Sequence, residues 1–590
     1  MANNIFDYIK EEEASFKATP VPVADGYDFN LYEHVRMSTL FRDSKFTQGA
    51  NDYSRPFKNI IRRIRNIALV AMDFDVKDIE PFVNDAENYY KSFFFRKFHP
   101  KWARKHNLDT FIDEMIESYE DFGLVLVKHV NQIAPEVVKL QSLAFCDQTD
   151  ILSGPIAIKH QYSPAQLKEM EGKGWENVDE VIRLARKEVT DSSGNKKTKT
   201  SGKFIEVYEV DGMFPNAWFK DSGEDISDED ETTYSQQFYL TTFYQDEKGE
   251  RKGFHLFKGK GDLNKYKALK RDDIFGRCAG MGGIEELFHP QIWTNYDMIR
   301  IQGMLDAASK IIHVTNDTTV LSRNDVKSMD NNDFLILADG KETHQLNTQP
   351  VNLVAFQNAA QEWENHAQGV GSANDALLGE SPNSGTPFKL QEAVITQGKG
   401  VHERRKGKLA TFLGEIYRDW VLYDLKREMS NEQKFIEELS LEEMQYVGEQ
   451  LAISAWNDHA KEMILNGQSF AEGEQQVFME SFKASFNKGG NKKFMEVAKK
   501  ELADLPIDVE VNIAGKQKDL SGMTDKLVNI FRVVIANPQV LQNPPIAKIF
   551  NRILASSGFD EVDFSGLALA PAVPNTELLQ ELATQNAGVS

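Results

Sequence analysis

The fold is decided by 280-GMGGIEELFHPQIWTNYDMIRIQGMLDAASK-310, 354-VAFQNAAQEWENHAQGVGSANDALL-378, the loop 378-LGESPNSGTPF-388 and the long segment that follows to Met429. Pro290 suits a first helical turn, where its missing N–H would have no partner in any case. Ile292, Tyr296, Ile299 and Gly303 then recur at helical spacing, with Trp293 and Met304 beside them. From Ile292 to Lys310 this predicts a rod of roughly 28 Å. Residues 311–353 break the pattern with IIHVT, an NDTT turn and NDFLILADG, which reads as strand plus turn. Helix resumes with Phe356, Ala360, Trp363, Ala367, Val370, Ala373 and Leu377 in one stripe. The alanines and glycines in that stripe predict close, shallow packing, either between adjacent rods or in an internal helical hairpin.

The segment after the loop is helical to Met429. Its second half is patterned by Leu409, Phe412, Leu413, Ile416, Trp420 and Tyr423. Its first half, QEAVITQGKGVHERRKGK, is polar on all sides and weakened by Gly398, Gly400 and Gly407, which predicts a bend or a face toward water. Helix, insert, helix, loop, helix offers few convergent polar groups for a catalytic pocket. It suits a rod that packs beside copies of itself and holds one loop in a central hole.

Upstream, residues 1–55 are polar and turn-rich and read as an arm that wraps a neighbour or is partly ordered. Pro56 opens a helix with Ile60, Ile64, Ile67 and Ala71 on one face. Further helices are predicted near 82–98 and 108–122, the second with Phe111, Met115 and Tyr119 in register and ended by Gly123. GLVLVKHV and EVVKLQSLAF read as a strand pair, and a helix is predicted near 164–187. A mobile loop at 191–203 precedes a strand-rich part, 204–269, that contains the acidic loop 221–231. That loop lacks the ligand spacing of an EF-hand and reads as solvated. Beyond Leu439 the chain reads as helices with one clear strand, IDVEVNIAG at 507–515, and two further helices split by NPQVLQNPP. The tail from Leu567 reads as loose or a short helix.

At 590 residues the chain exceeds the size at which single cores stop growing. Hydrophobic residues at 41% and charged residues at 27% are those of an ordinary globular protein. The formal net charge of −22 is the wrong sign for gripping nucleic acid, although repulsive walls would let a polyanion slide. The N-terminus has no secretory pattern and no run is long enough to span a membrane, which predicts a soluble protein made in a cytoplasm. Cys146 and Cys278 lie far apart in the chain, make no CxxC pair, and read as buried small residues of a reducing compartment.

No motif for catalysis emerges. GFHLFKGKG has the wrong glycine spacing for a phosphate loop and no Ser or Thr after Lys260. There is no HExxH, GxSxG or spaced Cys/His set, so no cofactor or metal is expected. His402 beside Arg404, Arg405 and Lys406 reads as a solvated face. The RRKGK cluster, Arg404 to Lys408, either touches phosphates in an assembly or makes surface or intersubunit salt bridges.

The run GGIEELFHPQ into the first rod, the strand-bearing insert, VAFQNAAQEWENHAQGV, the loop ALLGESPNSGTPF and the long helix together resemble the portal (head–tail connector) proteins of tailed bacteriophages. The helix that feeds the strand pair DFGLVLVKHV…EVVKLQSLAF looks like that family's wing. The resemblance implies an α+β fold with a mainly helical wing, a two-helix stem, a small α/β clip, a long wing helix and a C-terminal helical crown. The divisions it implies are an arm at 1–55, wing at 56–283, first stem helix at 284–310, clip at 311–353, second stem helix at 354–377, tunnel loop at 378–388, long wing helix at 389–429, further wing at 430–515 and crown at 516–590.

It further implies a ring, usually a dodecamer, at one capsid vertex of a virion. Double-stranded DNA passes through that ring during packaging and ejection. The partners would be the terminase large subunit, a head–tail adaptor, and the major capsid and scaffold proteins, with no membrane. The subunit itself would not be an enzyme. Carried onto this sequence, Ser381, Pro382, Asn383, Ser384, Gly385, Thr386, Pro387 and Lys389 would form the tunnel loop facing DNA. Asn316, Asp317, Arg323, Asp325, Lys327, Asp339 and Lys341 would hold the clip surface. Ile292, Tyr296, Ile299, Phe356, Trp363 and Val370 would make the stem contacts between subunits. Two alternatives stay open: a non-viral helical scaffold protein, and an enzyme with a pocket in 204–269.

Overall fold

Asn4 begins the described fold by accepting the Asp7 N–H on its side chain at 2.9 Å, the cap that starts α1 (Ile5–Ala18). A hairpin of β1 (Val21–Ala24) and β2 (Tyr27–Phe29) turns at Gly26 and leads into α2 (Leu31–Arg42), capped by Asn30. A computed structural model describes residues 4–45, 57–83, 92–129, 134–185, 189–190, 196–197, 204–220, 227–245, 251–309, 313–324, 335–345, 353–373, 388–431, 441–466, 473–484 and 507–511. These lie in one unit, Met1–Ile513; a second unit, Ala514–Ser590, lies outside the described residues, and with it the crown at 516–590.

The expectation of an N-terminal arm is corrected. Ile5, Ile9, Phe16, Phe29, Leu31 and Val35 are buried in the chain's own core, because apolar residues at helical spacing outweigh the segment's polar average.

Helix α3 (Ile61–Met72) starts later than Pro56, since Asn59 caps it through the Arg62 N–H. Of the helix expected near 82–98, the start belongs to β3 (Ile79–Val83), residues 84–91 lie outside the described residues, and the end falls in α4 (Ser92–Lys105). Helix α5 (Leu108–Phe122) ends at Gly123 with φ +68°. Strand β4 (Leu124–Lys128) follows at once and is fully buried. It pairs with β5 (Glu136–Val137), while β6 (Leu143–Phe145) joins a different sheet through β7 (Ile156–Tyr162). The single helix expected at 164–187 is two, α6 (Pro164–Glu171) and α7 (Val178–Ala185). Strand β8 (Val189–Thr190), just before the expected loop, pairs with β9 (Lys196–Lys197) within it. Then come β10 (Ile205–Pro215), α8 (Asp228–Thr232), β11 (Tyr234–Gln245), β12 (Arg251–Lys260) and β13 (Tyr266–Lys270).

The main sheet runs β12-β11-β10-β7-β6, all antiparallel. Alternation along β10 divides its side chains. Tyr208, Val210 and Phe214 face the core under α1, and Ile205 and Val207 face α6 and α7. Strand β4 has a different neighbour on each side. Leu124 and Leu126 enter the sheet core, whereas Val125 and Val127 enter a helical core built by α3, α4, α5 and the long helix. A strand buried on both faces reads as a continuous apolar run, as LVLV does.

After β13 come α9 (Gly283–Glu286), α10 (Phe288–Ala308), β14 (His313–Thr315), α11 (Val320–Arg323), β15 (Thr343–Gln345) and α12 (Leu353–Val370). The long helix is α13 (Phe388–Ile416), a π-helical turn at Tyr417–Val421, and α14 (Leu422–Asn431). It runs unbroken through Gly398, Gly400 and Gly407. Helix α15 (Leu441–Leu465), a helical stretch at 474–484 and β16 (Ile507–Val511) follow, β16 pairing antiparallel with β3. The architecture is a mixed α+β one.

Candidate functional site

Helices α10 and α12 form an antiparallel hairpin. Trp293 stacks on Trp363, and seven residues further along α10 Arg300 lies over Phe356, seven residues back along α12. The 21 residues of α10 make it about 30 Å long. Its root is packed into the chain through Ile284, Leu287, Ile61, Ile64, Phe41, Ala367 and Ala373. Gly371 is needed there, since a Cβ on it would lie 2.3 Å from the Ile64 side chain.

The first half of α10 reverses the usual amphipathic order. Gln291, Thr294, Asn295 and Asp297 are buried. Gln291 accepts the Ile60 N–H at 2.9 Å and donates to the Lys58 carbonyl at 2.7 Å, and Asn295 accepts the Lys58 N–H at 3.1 Å. These amides satisfy backbone groups of the segment entering α3, which has no intrahelical partners for them. Meanwhile Trp293 is 42% and Tyr296 48% exposed, and Leu305, Val354 and Val370 are exposed as well. In the first half of α10 exposed aromatics thus stand over a polar buried face, and exposed apolar side chains of this kind are suited to contact with another chain.

The six expected stem residues divide accordingly. Tyr296 and Val370 are exposed. Ile292 packs against the root cluster. Ile299 is half-buried, and Phe356 and Trp363 are half-buried in contacts within the hairpin. Trp293 and Val354 belong to the exposed set, and the buried Gln291 and Asn295 were not singled out from sequence. No local signal could have found them, because polar residues at helical spacing ordinarily read as a solvent face.

Charged residues cage the point where the rods leave the body. Arg271, 1% exposed, pairs with Glu120 and Glu286, each at 3.1 Å, and donates to the Met281 carbonyl. Arg277 holds Glu285 through two bonds of 2.9 and 2.8 Å and the Tyr27 hydroxyl at 2.7 Å. Asp121 receives Arg65 and Arg42. Burial raises the Glu120 carboxyl, and the Arg271 charge opposes that rise.

Two expectations about the long helix are corrected here. The RRKGK cluster clamps α13 to its own chain. Arg405 reaches Asp272 at 2.8 Å and Glu286 at 3.3 Å, Lys406 donates to the Asp73 carbonyl, and Lys408 donates to the Arg271 carbonyl. Arg404 alone of these is on the exposed side. His402 is not solvated. It is 1% exposed, and burial, with the Arg405 charge adding, pushes it down to about 4.

The insert between the rods holds β14 paired with β15; of the strand expected at NDFLILADG, residues 335–340 are not strand and 332–334 lie outside the described residues. Asp317 is buried and organises it by accepting the Thr319 hydroxyl at 2.7 Å, the Thr319 N–H at 2.9 Å and the Ala338 N–H at 2.9 Å. Those bonds, the Thr319 hydroxyl first, lower its carboxyl to about 2. Asp317 is therefore internal. Asn316, Arg323, Asp339 and Lys341 are exposed, and Asn316 also accepts the Glu342 N–H. Asp325 and Lys327 lie outside the described residues, as do Ser381 to Pro387 and the side chain of Lys389.

A second charged cluster joins the two larger sheets in the region 204–269. Glu209 and Asp211 on β10 meet Lys128 of β4, Lys265 and His160: Lys128 at 3.0 Å and His160 at 2.8 Å from Glu209, and Lys265 at 2.5 Å from Asp211. Burial would raise the Glu209 carboxyl, but His160, Lys128 and Lys265 hold it well below the usual range. Among the described residues no group of three His, Cys, Asp or Glu is placed to hold a metal, and no helix is long and apolar enough to cross a membrane.

The class defined so far is a mixed α+β body that carries a helical hairpin with Trp293 and Tyr296 exposed on it. No protein-family model and no curated protein matches this sequence.

Proposed function

We propose that this chain is the subunit of a portal ring: a conduit for double-stranded DNA at one capsid vertex, used in packaging and ejection. In this reading α10 and α12 are the stem, the 311–353 insert is the clip that docks the terminase large subunit and later a head–tail adaptor, and 378–388 is the tunnel loop. A dodecamer set among major capsid and scaffold proteins follows from the same resemblance, and so does residence in the virion. The portal assignment thus rests on the order of elements.

One observation carries the self-association it requires. The α10–α12 hairpin buries amides against its own body and presents Trp293, Tyr296, Val354 and Val370 outward. Exposed apolar side chains on such a rod suit cover by a like surface, and a repeated surface on identical chains closes into a ring when the rotation permits. The enzyme alternative would use Glu209 and Asp211 as paired carboxylates. Both are engaged by lysines and Glu209 is held ionised, which fits a lock between sheets better than a proton donor.

The test is imaging by negative stain together with sedimentation of the purified chain. The expected result is a closed ring with a hole wide enough for a duplex. Tyr296→Glu with Val354→Glu should return it to monomers, while the unfolding free energy changes by about 0.5 kcal/mol or less for each exposed site. A wild-type chain that sediments as a monomer at every concentration reached would sink the reading.

A further inference from the structure

The chain has two cysteines, both free and both buried. Cys146 follows β6, and Cys278 lies between β13 and α9. The Cys278 N–H donates to the Gln148 carbonyl at 2.8 Å, which lays residue 278 alongside the 146–148 segment. Both side chains enter the same apolar cluster, with Phe145, Ile151 and Ala279. Cys278 is the first cause of the raised Cys146 thiol, which places the two side chains close together. The only sulfhydryls of a 590-residue chain are thus neighbours, although they come from distant parts of it.

We propose that Cys146 and Cys278 are an intramolecular cross-linking site, closed to a disulfide when the folded protein meets an oxidising environment. The bond would fasten the edge strand of the main sheet to the loop that roots the rods. Arg277, adjacent to Cys278, grips Glu285 at the start of α9 and the Tyr27 hydroxyl of the N-terminal hairpin. Gln148, two residues beyond Cys146, accepts the Leu31 N–H and donates to the Thr19 carbonyl. Sheet, N-terminal segment and rod root therefore meet at this one place.

The chemistry needs a low-molecular-weight disulfide as oxidant. Cys146 is the more exposed, 8% against 0% for Cys278. Its sulfur loses a proton to solvent and attacks one sulfur of the reagent, whose S–S bond breaks to release one thiolate. Cys278 then loses its proton and attacks the Cys146 sulfur of the mixed disulfide, expelling the second reagent thiolate. The protein gives up two hydrogens and two electrons, and the reagent is reduced to two thiols. Contact with Cys278 and then burial push the Cys146 thiol well above the usual thiol range. The first step is therefore slow and proceeds through local opening. Once formed, the bond closes a long loop and restricts the unfolded chain.

The experiment equilibrates the wild-type chain with mixtures of oxidised and reduced glutathione, with and without low urea to admit the reagent. Free thiols are then alkylated and the protein is digested for mass analysis. The expected products are a linked peptide pair containing Cys146 and Cys278, a loss of two hydrogens from the intact mass, and a melting temperature raised by a few degrees. Cys146→Ser and Cys278→Ser should each give at most a glutathione adduct and no such rise. Both thiols still alkylated at equilibrium would overturn the proposal, and so would adducts or intermolecular dimers without the linked pair. The readout does not involve ring formation, so its failure is distinct from failure of the portal reading.

Discussion

At Gly123 two demands fall on one residue. It ends α5 in the left-handed region at φ +68°, and its carbonyl accepts both the Arg271 and Gly280 N–H groups. A Cβ there would lie 2.4 Å from the Gly280 oxygen. Gly174 has φ +92° but nothing within 4 Å of its added Cβ, so it isolates the conformational part. Gly174→Ala should cost about 1 kcal/mol, and Gly123→Ala about 3 kcal/mol, because overpacking adds to backbone strain. Urea denaturation of the two variants measures the difference, and equal midpoints would show that the close approach is not tight. The helix stop at Gly123 was legible in the sequence, since glycine after a periodic run is a local signal. The second role was not, because it depends on a loop far along the chain. His402 was misread for the same reason: its charged neighbours in sequence suggested solvent, yet the fold buries it together with Arg405 and Lys406.

Among the elements, the long helix is the one whose irregularity lies elsewhere than its composition suggests. Three glycines leave α13 continuous, and the departure comes at the π-helical turn Tyr417–Val421. The widened turn lets neighbouring side chains serve different partners. The Tyr417 hydroxyl meets His99 at 2.9 Å, while Trp420 stacks on His129, centroids 5.1 Å apart, beneath Lys267. His129 in turn meets Asp424 at 2.6 Å, and Arg418 meets Asp508 of β16 at 2.7 Å. Trp420 is a keystone of this arrangement, so Trp420→Ala should lower the unfolding free energy by about 3–5 kcal/mol. A loss under about 1 kcal/mol in urea denaturation would mean that the helix is held by its other contacts. The rods themselves were legible as stripes with the right spacing. Which face of α10 turns outward was not, because Gln291 and Asn295 are recruited by the backbone at residues 58–61.

For the molecule as a whole, buried histidines set a response to acid. Burial pushes His99 to about 4, and His402 is also held at about 4. An unfolded histidine titrates near ~6.5. Between these values the unfolded chain binds more protons than the folded one, so stability is complete above pH ~6.5 and falls as pH drops toward 4. The loss amounts to as much as about 3 kcal/mol per histidine. His402→Leu should remove its own share of that slope, beside those of His99 and of His34, which burial also lowers, in melting curves taken across the window. An unchanged slope would place the sensitivity elsewhere. What the amino-acid order alone determined was local: the α+β character, the two rods with an interruption between them, the strand-rich 204–269, and the long helix. Periodicity and turn residues act over a few positions and need no knowledge of the remainder. Only the tertiary structure decided that residues 5–42 belong to the core, that Arg405 and Lys406 clamp a helix to its own chain, and that Cys146 and Cys278 are neighbours. Each of those outcomes is a contact between segments far apart along the chain, where burial and charge compensation across the fold, not spacing within a segment, set the energy.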